Sequence, residues 1–305
     1  MILPLLANAL IALSFTLAKE LLNYLTPLML LALKTFFAGL FFAFLYVFFR
    51  RQKSYKISPS LLFSLMASSF IYIFLTNYFA YTSFRYLSSS LATLIYNFNP
   101  FIVAFISYFL FKESFPKQKI AGLVVGWVGF IFLIVTGSAS DTTCGGYVYG
   151  IATAFASAVC AAVGFILMQK ILYKKDIPAT ISSSITLTFT GVSAFGASLM
   201  TEMPHAFQGC QNLNMYALSL LILIIGAMLS WSWVNCYLSN LYRATFLSLI
   251  GFTMPLFAVL FEWAFFGRSV GWNFYVAIVF IFLGLLLFYR SEGEVPSAGQ
   301  SCSIL

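Results

Sequence analysis

Runs of about twenty apolar residues, separated only by short polar breaks, recur from one end of this chain to the other. A bilayer core of about 30 Å needs about 20 such residues per helix. Ten spans follow, at approximately 2–18, 28–49, 60–82, 86–111, 118–136, 147–168, 180–200, 214–238, 243–266 and 271–289. The breaks between them leave no room for a soluble domain, so neither a catalytic head nor a nucleotide-binding domain is expected. Only 8% of the residues are charged and 62% are hydrophobic, whereas soluble chains carry about 25% charge. The N-terminus has no charged region ahead of its first apolar run, which therefore reads as a membrane helix rather than a cleaved leader.

Orientation follows from the basic residues. With the N-terminus inside, twelve of the sixteen lysines and arginines fall on the cytoplasmic side: Arg50, Arg51, Lys53, Lys56, Lys112, Lys117, Lys119, Lys170, Lys174, Lys175, Arg243 and Arg290. Lys19, Arg85 and Arg268 fall outside, and Lys34 lies within a span. The net charge of +8 thus reflects topology and not a nucleic-acid partner. The same ledger puts Cys144 and Cys210 in two outer loops. They bridge if that side is oxidising, or stay free thiols.

The two halves of the chain echo each other. Aligned on Pro100 and Pro255, Ser114 falls on Ser269 and Gly129 on Gly284. Upstream, KELLNYLTP from Lys19 resembles KILYKKDIP from Lys170. Each half holds five spans, and an odd number obliges the second copy to insert upside down. The expected fold is an all-α membrane protein of ten transmembrane helices in two inverted five-helix repeats. Residues 1–140 form the first, 141–290 the second, and 291–305 a cytoplasmic tail. Inverted halves about an axis in the membrane plane are a common plan for secondary transporters, with two near-equivalent arrangements for alternating access.

With these features the chain resembles the EamA-type members of the drug/metabolite transporter superfamily. The resemblance covers nearly the whole chain. It rests on the two five-span halves, on the apolar run from Pro100 to Lys112 and Glu113, and on Gly122, Gly126 and Gly129 after it. The family usually has an acid where this chain has Glu113; in the second half that position is Arg268. It often has an arginine early in its second helix, where this chain has Lys34. The resemblance implies a ten-helix bundle around a cavity lined by helices 1, 3, 4, 6, 8 and 9. It also implies solute transport without ATP, over a range that includes amino acids, nucleotide sugars, S-adenosylmethionine, vitamins and drugs.

Polar residues inside the spans are the candidate solute ligands. Pro100 frees the carbonyl of Tyr96, and Pro255 that of Gly251. A freed carbonyl must face protein or a watery cavity. Asn97 and Asn99 flank the first kink and add donors and acceptors there. Either the kink coordinates a polar solute, or it shapes packing with its amides bonded to neighbouring helices. Asn77 and Tyr81 lie one turn apart on the third span, and Trp231 and Asn235 one turn apart on the eighth. Each pair can stack on a flat ring and bond its edge, or serve as an ordinary interfacial aromatic with a neighbour.

A charge within a span costs several kcal/mol and marks a pathway or a pair. Lys34 and Glu262 are the two, at similar depth in the outer half. Glu262 breaks the repeat, since Ser107 aligns with it. It binds a cationic solute or a proton, forms an ion pair with Lys34, or reaches the outer headgroups. Gly122, Gly126 and Gly129 form a small-residue stripe for close helix approach, within one chain or between two.

What is missing narrows the class further. There is no GxxxxGK[ST] loop for ATP and no HExxH. The single histidine, His205, is in an outer loop, and the two aspartates, Asp141 and Asp176, are in loops on opposite sides. No enzyme, cofactor or metal site is expected. A cavity with aromatics, amides and one buried acid suits a small zwitterion or organic cation with a flat part. An amino acid or a derivative such as S-adenosylmethionine fits; a nucleoside, vitamin or drug is the alternative solute, and a channel or membrane enzyme fits less well. The partners are a small solute, membrane lipid, and a proton or exchanged metabolite for coupling, in a bacterial inner (cell) membrane. Single cysteines placed at each terminus of a cysteine-free variant should both react only when the reagent reaches the cytoplasmic face; reaction of either from outside would refute the topology.

Overall fold

In hydrocarbon a backbone amide has no water to bond, so a spanning segment must satisfy its own N–H and C=O groups. The computed structural model meets this demand with helices. It describes residues 2–48, 58–99, 101–102, 105–106, 117–136, 144–175, 179–202, 220–226, 253–267 and 271–290, and no strand occurs among them. In order the helices are α1 (Ile2–Leu21), α2 (Pro27–Phe48), α3 (Pro59–Ser69), α4 (Thr76–Phe84), α5 (Ser89–Tyr96), α6 (Lys117–Thr136), α7 (Cys144–Lys175), α8 (Ala179–Thr201), α9 (Thr253–Phe266) and α10 (Trp272–Arg290). Residues 220–226 are helical as well. Each of the ten spans read from the sequence therefore contains helix, the third being built from α3, a π-helical segment and α4. Among the described residues, Pro27–Phe48, Pro59–Phe84 and Gly145–Met168 are long and apolar enough to cross a membrane.

Local sequence sets several boundaries. Ser58 caps α3, its hydroxyl accepting from the Leu61 amide at 3.3 Å, and Pro59 occupies the first turn, where its missing N–H is no loss. Ser88 does the same for α5, accepting from Leu91 at 3.2 Å. Large apolar side chains cover the surface, and hydroxyls lie among the apolar residues of the interior. Phe48, Phe63, Val135 and Met200 are exposed, while Thr16, Thr35, Ser68, Thr186 and Thr190 are buried. Those hydroxyls bond the carbonyl one turn back, at 2.7–3.0 Å, so burial leaves none of them unpaired.

Cα packing divides the chain into two units, Met1–Ile106 with Ala139–Val270, and Ser107–Ser138 with Gly271–Leu305. In the first, α2 packs on α8, α4 on α7, α1 on α9, and α5 on both α9 and α7. In the second, α6 packs on α10. Glycines set the closest approaches. A methyl at Gly39 of α2 would lie 2.5 Å from the Thr188 backbone N, and one at Gly191 of α8 would lie 2.6 Å from the Phe36 backbone N. The contacts cross reciprocally, as only an antiparallel pair allows. In the other unit, a methyl at Gly129 would meet Ala277 O at 3.1 Å and Ile281 N at 3.2 Å. One at Gly284 would meet Gly122 O at 2.7 Å and Gly126 N at 2.6 Å. The glycine stripe of α6 is thus filled by α10 of the same chain. Gly164 against Tyr72 and Gly150 against Leu87 make α7 antiparallel to the third span in the same way, and Gly226 abuts Ser14 of α1.

Between α3 and α4, residues Phe70–Leu75 form a π-helical segment. It adds one residue per turn and displaces carbonyls from the α ladder. Side chains take them up. Thr76 donates its hydroxyl to Ile71 O at 3.3 Å, Asn77 its amide to Ile73 O at 2.8 Å, and Ser157 of α7 its hydroxyl to Thr76 O at 2.8 Å.

Gly39→Leu or Gly284→Leu should cost about 1–3 kcal/mol or more by overpacking against backbone, read as earlier unfolding of the purified protein in detergent. Gly145→Ala and Gly196→Ala, where a methyl would meet nothing within 4 Å, should leave stability within about 0.5 kcal/mol.

Candidate functional site

The polar residues of the first unit gather along one path through α1, α2, α4, α5 and α9. It begins at Lys34, which is only 8% exposed. Its ammonium donates to the Tyr81 hydroxyl at 2.9 Å and to Asn77 Oδ1 at 3.4 Å, and lies 5.5 Å from the Tyr81 ring centroid. The π segment makes this possible. Because Asn77 Nδ2 is spent on Ile73 O, its carbonyl oxygen is turned to the lysine. The sequence pairing of Asn77 with Tyr81 on one face is present, and Lys34 is what they share.

From Tyr81 a chain of rings leads inward. Tyr81 lies 6.1 Å from Phe84, Phe84 lies 5.9 Å from Phe15, and Phe15 lies 6.1 Å from Tyr96, the last two contacts edge-on, a favoured geometry for aromatic quadrupoles. Phe15, Phe84 and Tyr96, with Ser83, Thr93 and Ser157, enclose a cavity of about 10 Å³, room for about one water. A solute site of ordinary size is ~300–1,000 Å³. This cavity is far smaller than that.

Tyr96 is the last residue of α5. The chain then turns, with the Phe98 amide donating to Ile95 O at 3.0 Å and the Phe101 amide to Phe98 O at 3.1 Å. The expected break is therefore present at Asn97 and Phe98, while Pro100 itself lies outside the described residues. Asn97 Nδ2 and Asn99 Oδ1 are buried there with no hydrogen-bond partner. Such orphans are rare and costly in a folded interior, and here they are one donor and one acceptor side by side in the chain.

Glu262 on α9 is 2% exposed. Its carboxylate accepts from the Ser89 amide at 2.8 Å and the Ser90 amide at 3.4 Å, at the positive end of α5. Among the described residues no ion pair joins it to Lys34, whose ammonium is held by α4. Nor does it reach a surface, as its burial shows. The sequence reading treated a charge as needing a charge or a solute; a helix N-terminus supplies unpaired amides that answer it equally well. Around it the ends of α1 and α5 are tied: Lys19 Nζ donates to Leu87 O at 2.6 Å, and Ser89 and Thr16 hydroxyls lie 3.4 Å apart. Asn8 and Thr253 join α1 to α9 at 3.5 Å.

Pro255 is buried in the first turn of α9, and the carbonyl it was expected to free, on Gly251, lies outside the described residues. So do Trp231, Asn235 and Cys210, and only the helical backbone of Cys144 is described. Sequence reasoning missed Thr16, Ser89 and Ser90. The triple serine from Ser88 before an apolar run is an N-cap signal that could have located the Glu262 contact. The ring pair Phe15 and Phe84 and the π segment had no such signal.

Comparison with known proteins places the whole chain. The model of the EamA-like transporter family matches residues 1–135 and 148–290. The S-adenosylmethionine/S-adenosylhomocysteine transporter of Chlamydia muridarum (strain MoPn / Nigg) is 28% identical over 287 residues, covering 92% of this chain and 88% of that protein. The transporter of the same description from Chlamydia trachomatis serovar L2 is 27% identical over 287 residues, covering 92% and 85%. A solved crystal structure superposes with a TM-score of 0.65 at 16% identity, over 96% of this chain and 98% of that one, a likeness of fold. The chain belongs to the EamA-like transporter family, whose members are integral membrane proteins.

Proposed function

We propose that this protein is a secondary, ATP-independent carrier that exchanges S-adenosylmethionine and S-adenosylhomocysteine by alternating access between two inverted halves, residues 1–140 and 141–290. The observation that carries the alternating part is the reciprocal packing of glycines. The same atoms meet when the α6 and α10 partners are exchanged, and the two helices run antiparallel. The α2 and α8 pair behaves likewise. A two-fold at right angles to spanning helices lies in the membrane plane, and halves so related have two equivalent ways to open. The pattern of partners supports the same reading. Numbering the spans one to ten, contacts of the third with the sixth match those of the first with the eighth, and contacts of the first with the ninth match those of the fourth with the sixth.

The solute rests on the chlamydial relatives and on the chemistry of the path. The two named compounds share an adenine, a ribose and an amino-acid end, and differ by one methyl and its sulfonium charge. A carrier for both must read what they share. Glu262 is spent on backbone amides, so it is not free to single out the sulfonium. Aromatic rings and orphan amides along the path suit a flat heterocycle. The setting is a bacterial inner membrane, with both termini cytoplasmic.

In this reading the contacts among Glu262, Ser89, Ser90, Thr16, Lys19 and Leu87 hold the outer end shut, since the basic residues put these helix ends outside. Opening to that side must break them. Proteoliposomes loaded with unlabelled S-adenosylhomocysteine should accumulate labelled S-adenosylmethionine by saturable counterflow without ATP; uptake equal to that of empty liposomes would refute the assignment. Glu262→Gln keeps the shape but exchanges charge-assisted bonds for neutral ones, a loss of about 1–2 kcal/mol. Outside labelling of a cysteine at position 83, in a background without other cysteines, should then rise about tenfold. Unchanged labelling would remove Glu262 from the closure.

A further inference from the structure

We infer that Lys34 is the anchor for the carboxylate of the solute, an inference that rests on the carrier reading above and adds the group it recognises. An ammonium buried in a membrane helix without a counter-charge is costly, and a cation taken out of water needs both an opposite charge and hydrogen bonds. Among the described residues Lys34 has the bonds and lacks the charge. Its two acceptors, the Tyr81 hydroxyl and Asn77 Oδ1, are both neutral. An ammonium carries three donors, and one remains.

No carboxylate among the described residues supplies the missing charge. Glu262 accepts from the Ser89 and Ser90 amides. Glu202 accepts from the Leu28 amide at 3.4 Å and the Ser198 hydroxyl at 3.2 Å. Glu20 accepts from Asn23 at 3.2 Å, on an exposed turn at the end of α1. The other acids, Glu113, Asp141, Asp176, Glu292 and Glu294, fall outside the apolar spans of the sequence.

The cluster is nevertheless built for the charged form. Asn77 is held by its amide nitrogen to a π-segment carbonyl, which turns its oxygen, an acceptor, to the lysine. Tyr81 is fully buried, with its hydroxyl 2.9 Å from the amine. Two neutral acceptors hold an ammonium in place and leave its charge to be balanced by an incoming anion.

The path gives that anion a body. From Tyr81 the rings of Phe84, Phe15 and Tyr96 run to the break where Asn97 Nδ2 and Asn99 Oδ1 are unpaired. A molecule with a carboxylate at one end and a flat, edge-bonding ring at the other matches this order of groups. The sequence expectation of a small zwitterion is kept, with its anionic end as the group that is held.

The test is ligand-induced thermal stabilisation of the purified full-length protein, which needs no transport. The probes are matched pairs: S-adenosylmethionine and its decarboxylated form, methionine and 3-methylthiopropylamine, tryptophan and tryptamine. In the wild type, the carboxylate member of a binding pair should act at about tenfold lower concentration or better. Lys34→Gln should erase that preference, and Lys34→Arg should retain it. If decarboxylated members stabilise the wild type as well as their parents do, Lys34 is not the anchor, whatever the variants do. If tryptophan or methionine shows the preference while neither S-adenosyl compound binds, Lys34 stands and the solute proposed above falls.

Discussion

A helix interrupted inside a membrane must find partners for the backbone it releases, and the candidate site of this protein is arranged around two such interruptions. At the π segment the released carbonyls of Ile71, Ile73 and Thr76 are met by Thr76, Asn77 and Ser157. At the end of α5 the chain turns through Asn97 and Phe98 with short local bonds. In the first case the side-chain bonds reach across to α7. In the second the backbone is repaired but the side-chain amides of Asn97 and Asn99 are left over. Structural repair and spare bonding capacity are thereby separated along one path.

The glycine contacts serve a different end. Without a hydrophobic drive between helices in lipid, association depends on close van der Waals fit and local hydrogen bonds. Gly39, Gly191, Gly129 and Gly284 allow backbone to meet backbone at the most intimate points of two antiparallel pairs. Gly39 of α2 meets α8 and Gly191 of α8 meets α2, as Gly129 of α6 meets α10 and Gly284 of α10 meets α6. A fit of this kind is tight yet carries few directional bonds.

Much of this was legible in the sequence, for physical reasons. Spans are set by bilayer thickness, so apolar run length locates them, and all ten contain helix. The face shared by Asn77 and Tyr81 follows from helical spacing. The turn at Asn97 and Phe98 falls within one helical turn ahead of Pro100, so the proline marked the region of the break but not its position. Partners across helices were not legible. The sequence left Glu262 three readings, a cationic solute or proton, a pair with Lys34, or the outer headgroups, because spacing records side chains and not the amides that α5 exposes at Ser89 and Ser90. Depth alone does not show that the Lys34 ammonium meets Asn77 and Tyr81. The π segment was invisible, being a product of tertiary contacts that FIYIFL does not encode by itself.

That extra residue in the third span sets the direction in which the rest of the helix looks. An α-helix turns about 100° per residue. Rewinding Phe70–Leu75 as plain α-helix, with no residue removed, would leave a span long enough for the bilayer and every later side chain in its original order. It would also swing the Asn77 and Tyr81 face about a quarter-circle around the helix axis, away from α2. The molecule would keep its membrane-crossing shape and lose its bearing, like a compass card remounted one notch out of true.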